Sequence, residues 1–130
     1  MSAIAPRTEN VLTVYGTGVS DALHAELGPA ALKPTAITPG LQESSSTVWS
    51  GPEGGVRVGL WSVECGSFHA TRVGHHEIFY VLAGRAVLQP DDGPAVEVAT
   101  GDLYVTPSGW SGTWTVTEPL RKLYVITDLA

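Results

Sequence analysis

From Val56 onward the chain falls into short runs of β-favouring residues broken by turn residues. This pattern is that of strands, in which residues two apart share a face. It predicts strands over 56–64, 77–82, 85–89, 95–99, 103–106, 112–117 and 121–127, all rich in Val, Ile, Tyr, Trp and Thr. Pro90-Asp91-Asp92-Gly93-Pro94 supplies the turn of a central hairpin. Before Val56, Gln42 to Ser46 and Ser50 to Gly55 read as loop and turn. One short helix is predicted over 22–27, with Ser20 as its cap, Asp21 at the positive end of its dipole and Gly28-Pro29 as its stop. Many short strands at close spacing predict an all-β sandwich or barrel, and 130 residues suit one small jelly roll.

Composition narrows the partners more than the fold. With 43% hydrophobic and 15% charged residues the chain has enough apolar surface for a single core, and no run of about 18 apolar residues is present to span a membrane. A net charge of −6 repels phosphate backbones and anionic bilayers, so neither nucleic acid nor membrane is an expected partner. The lone Cys65 rules out an intramolecular disulfide, and MSAIAPRTENVL lacks a secretory pattern, so a reducing cytoplasm is the expected location.

Two glycine-anchored motifs flank the central hairpin. In the first, Glu77 is followed by six residues and then Gly84; in the second, Gly101 is followed by five residues and then Pro107-Ser108-Gly109. This frame resembles the cupin superfamily. The wider segment, with Gly59-Leu60-Trp61, Cys65-Gly66-Ser67-Phe68, Gly109-Trp110-Ser111-Gly112-Thr113-Trp114 and Arg121 to Ile126, is similar to small cupins of the ureidoglycine aminohydrolase and ethanolamine-utilisation Q protein type over roughly 45–127. The resemblance implies a single cupin jelly-roll β-barrel at 45–130, with 1–44 as an N-terminal extension carrying the short helix and packing onto the barrel. It also implies a metal site, and there the sequence departs from the pattern. Val73 and Thr71, or Arg72 and Ala70, stand where the first motif has its two histidines, and Gly112 stands where the second has its own.

Parity then suggests a changed site. His75, Glu77, Phe79 and Val81 share one strand face, and the motif turns Glu77 inward, which brings His75 with it. Gly112, Trp114 and Val116 are cofacial on a later strand, so Gly112 opens the vacated ligand corner and Trp114 lines it. An apolar interior raises the pKa of Glu77 and a neighbouring carboxylate raises that of His75, giving an acid-base pair against an aromatic wall. Arg72, able to bind a carboxylate bidentately, and Trp110, in a loop at the mouth, complete the substrate-binding set with Trp114 and Phe79.

Three functions fit. The first is a metabolite enzyme using Glu77 and His75 for non-oxidative isomerisation, elimination, cyclisation or hydrolysis. The second is a metal-dependent dioxygenase or hydrolase holding Zn, Fe, Mn or Ni through His75, Glu77 and His69. The third is a non-catalytic binding or assembly module. Outward Ile78, Tyr80 and Leu82 form an apolar stripe that a homodimer would bury.

Overall fold

The computed structural model describes residues 16–129. Eight strands follow in chain order: β1 (Ala31–Leu32), β2 (Gln42–Ser50), β3 (Val56–Val63), β4 (Gly66–Thr71), β5 (His75–Pro90), β6 (Val96–Ala99), β7 (Leu103–Thr106) and β8 (Ser111–Asp128). Two pairs of predicted strands are each one long element. β5 joins 77–82 to 85–89, and β8 joins 112–117 to 121–127.

β5 and β8 are antiparallel along their whole length, from His75 opposite Asp128 to Pro90 opposite Gly112. Their register slips between Val81 and Ala86, where extra residues sharpen the twist and bend the pair. Gly84 sits at this bend with φ +99°, and a Cβ there would lie 2.1 Å from the Pro119 carbonyl oxygen. Only glycine fits such an approach. On one side of the bend β3 pairs with residues 120–127 of β8 and β7 with residues 77–80 of β5. On the other, β4 pairs with residues 111–116 and β6 with residues 85–88. The result is a jelly roll whose two faces share their central strands.

Among the described residues the hydrogen-bonded path β1-β2-β3-β8-β5-β6 stays open, with β4 and β7 as branches, so the expected closed barrel is corrected there to an open sheet. Between its faces lie Trp61, Phe68, Phe79, Val81, Leu88, Val98, Trp114 and Leu120, all buried.

The short helix is also corrected. Asp21 adopts φ +51°, and only His24 and Ala25 donate back to its carbonyl. One turn cannot meet the cost of helix nucleation; instead Arg121 caps it, donating Nη1 to the Ala22 and Ala25 carbonyls at 3.0 and 2.8 Å. Beyond it the chain follows the sheet, through Gly28 N to Ser45 O and His69 N to Thr35 O. The serine-rich stretch read as loop is strand β2, whose serines face β3 in register, Ser45 opposite Trp61.

Cys65 is exposed, and Tyr104 packs inward against the core. β7 takes its parity from β5: Tyr104 lies opposite buried Phe79, while Leu103 and Val105 carry the exposed positions, 68% and 48%, beside Tyr80 and Ile78. Among the described residues no helix is long and apolar enough to cross a membrane.

Candidate functional site

Strand parity also builds the site. β8 places Lys122 opposite Trp61 of β3 and Val81 of β5, both inward, so Lys122 must point inward too. On β5 the same rule buries Glu77, Phe79 and Val81. The two meet beside a cavity of about 360 Å³ whose wall includes Lys33, Arg72, Glu77, Lys122, Trp61 and Phe68, with hydroxyls from Thr35, Ser45, Thr71 and Tyr124 and the imidazole of His69.

The charged groups form a short network. Glu77 Oε1 accepts from Lys122 Nζ at 3.0 Å and from Arg72 Nη2 at 2.8 Å. Arg72 Nε in turn donates to Thr106 Oγ1 at 3.0 Å. Lys33 Nζ donates to Glu43 Oε1 at 2.9 Å, an oxygen that also accepts from Trp61 Nε1 at 2.7 Å. The Lys122 ammonium lies over three rings, 4.4 Å from the centroid of Trp61, 4.5 Å from Trp114 and 4.9 Å from Phe79. Lys33 lies over Phe68 at 4.5 Å and over Trp61 at 5.3 Å. Ring faces attract cations, so the aromatic wall holds both ammonium groups without neutralising them.

These neighbours reverse the acidity expected of Glu77. Burial pushes its carboxyl up and is the largest single influence, but the charges and hydrogen bonds of Lys122 and Arg72 together outweigh it and hold it below 4.5. Lys122 is held below the ordinary lysine value, first by burial and then by Arg72 and Lys33, against the opposing pull of Glu77. The carboxylate is therefore fixed in its charged form, and the lysine is the group whose proton is loosened.

Several predicted site residues are placed elsewhere. His75 opens β5 opposite Asp128 at the sheet's end, with Nδ1 3.1 Å from the Val73 carbonyl oxygen, and it does not line the cavity. Its parity matches that of Glu77, but it lies one step beyond the cavity's edge. Trp114 and Phe79 belong to the core beneath Lys122, each 0% exposed, and Trp110 packs against that core rather than the cavity wall. Gly112 opens no corner: a Cβ there would meet the Gln89 carbonyl oxygen at 2.3 Å, so its role is close packing of β8 on β5. Arg72, Glu77 and His69 do line the cavity, and His69 Nε2 lies 3.4 Å from Ser111 Oγ.

A transition metal does not fit this corner. Among the described residues no three His, Cys, Asp or Glu side chains come together, so His69, Glu77 and His75 form no ligand set. Glu77 is already bonded to two cations, Arg72 and Lys122. Sequence reasoning missed Lys122 and Lys33. The signal for Lys122 was the inward parity it shares with Leu120 and Tyr124; for Lys33 there was none.

The model of the EutQ-like cupin domain matches residues 50–124. The chain belongs to the EutQ-like cupin family. No curated protein matches it. Among solved structures, this cupin is similar to a DUF861-family protein of unknown function from Pseudomonas syringae pv. tomato, with 26% identity, a TM-score of 0.69, and coverage of 81% of this chain and 46% of that one. The cupin thus spans about half the length of that relative. It is also similar to the EutQ protein of Clostridium difficile, with 22% identity, TM-score 0.59 and coverage of 70% and 71%. A predicted oxalate decarboxylase from Thermotoga maritima shares 24% identity, TM-score 0.57 and coverage of 69% and 85%. At these last two identities the likeness speaks for the fold, not the reaction.

Proposed function

We propose that this cupin is an enzyme that acts on a small organic metabolite by non-oxidative proton transfer in the cavity beside Glu77. The observation that carries this reading is the Lys122–Glu77 pair, buried yet on the wall of an accessible cavity. A catalytic acid or base works best when its pKa lies near the working pH, and burial, with Arg72 and Lys33 close by, moves Lys122 in that direction. Lys122 is the group that gives or takes the proton at its Nζ. Glu77 is a positioning residue: held ionised, it fixes the direction of that ammonium. Isomerisation, elimination, cyclisation and hydrolysis all need such a step, and none needs an oxidant.

Hydrogen exchange tests the reading before the substrate is known. In D₂O, a panel of small oxo, hydroxy and unsaturated carboxylic acids should include one compound whose C–H is replaced by C–D above the buffer rate, followed by ¹H NMR. Lys122→Met should slow that exchange about 100-fold or more, the usual weight of a general acid or base. A compound that binds in the cavity but shows neither exchange nor turnover would count against catalysis. It would favour a ligand-binding module, the reading supported by the existing partners of Lys33, Arg72 and Lys122.

A further inference from the structure

Resting on that reading of the cavity as the site, we infer that its ligand is a small hydroxycarboxylate, with the carboxylate on Lys122 and Lys33 and the hydroxyl donating to Glu77 Oε2. Three features of the wall lead there. First, charge is unbalanced: Lys33, Arg72 and Lys122 share only Glu43 and Glu77, in a protein whose net charge is −6. A surplus cation at a partly buried site favours one anionic group on the ligand.

Second, the free hydrogen-bonding positions are specific. An ammonium has three donors, and Lys122 and Lys33 each use one, on Glu77 and Glu43. Both lysines line the cavity beside Trp61, and each keeps donors for a ligand carboxylate. Third, the Lys122 and Arg72 bonds to Glu77 both fall on Oε1, and Glu77 lines the cavity. That leaves Oε2 as the carboxylate oxygen for a ligand hydroxyl to donate to. A second carboxylate there would meet repulsion from Glu77, and a neutral amide would leave the surplus cation unmatched.

Size and apolar surface fix the remainder. At about 30 Å³ per water, 360 Å³ holds about twelve waters, room for a body of about ten heavy atoms. Trp61 and Phe68, their ring planes 69° apart, offer that body an apolar corner.

Calorimetric titration of the full chain with two matched series tests this: lactate, propionate and lactamide, and mandelate, phenylacetate and mandelamide. In at least one series the hydroxy acid should bind about tenfold or more tighter than its deoxy analogue, and the amide should show no binding. Lys33→Met should weaken the hydroxy acid about tenfold, while Tyr80→Phe, on the outer face, leaves it unchanged. Equal affinity for acid and deoxy acid in both series, or amides that bind as well as acids, would overturn the assignment. Binding of the hydroxy acid without deuterium exchange would leave the ligand class standing and reject proton transfer; exchange confined to an uncharged compound would do the reverse.

Discussion

Replacing Glu77 with Gln should lower stability by about 3–5 kcal/mol, the cost of breaking a buried ion pair by removing one partner. The neutral amide leaves Arg72 and Lys122 facing each other with no counter-charge, and neither can turn to bulk solvent, since their side chains are 12% and 6% exposed. Chemical denaturation would register the loss directly. Lys122→Met is the control: it keeps an unbranched side chain among the same rings and leaves Glu77 paired with Arg72, so it should cost distinctly less. Equal losses would mean that packing, rather than charge, holds this corner.

The pH dependence follows from the same pair, and in both titration windows stability rises with pH. Glu77 has a folded pKa below its ordinary 4.5, so its contribution is full above that value and is lost as pH falls through the lower folded pKa. Lys122 is also lowered, but for a base this means the unfolded chain binds the extra proton. Its ammonium therefore costs stability near neutrality, and the cost is relieved as pH rises toward 10.5. Acid unfolding of the wild type should steepen below pH 4.5, and Glu77→Gln should lose that steepening.

The second large effect is expected at Trp114. Its ring is fully buried and meets Phe68 at 5.5 Å, Phe79 at 5.2 Å and Trp61 at 6.3 Å between centroids. Trp114→Ala should cost about 3–5 kcal/mol, the range for deleting a large aromatic from a core. Its Nε1 is buried with no hydrogen-bond partner, so Trp114→Phe removes an unsatisfied donor together with part of the ring. The Phe variant should recover at least half of the loss in thermal or denaturant unfolding. If Ala and Phe were equally costly, the indole N–H would be contributing something the core packing does not explain.

Much of this was legible because a strand writes its two faces into alternate residues. Glu77, Phe79 and Val81 were read as sharing one face on that basis; the glycine-proline frame around them named the family correctly, and the resemblance turned that face inward. The same rule misled at His75, because parity gives direction but not depth, and the cavity ends before the first residue of β5. Trp114 was read as inward but as pocket wall, since sequence cannot separate a surface lining a cavity from the layer of core behind it. Lys122 was passed over because Arg121-Lys122 reads as an exposed charged step. Only pairing with both Trp61 and Val81 forces the lysine inside. Lys33 depends on a two-residue strand that pairs with β2, a contact that no local pattern encodes.

The pair at the cavity wall is most directly tested at Lys122 itself, by NMR of its side chain across the alkaline range, assigned by comparison with Lys122→Met. Lys122 should lose its proton below the ordinary lysine value of 10.5, and its signal should move when mandelate or lactate is added. An ordinary titration with no response to either acid would contradict a functional site built on Lys122 and Glu77.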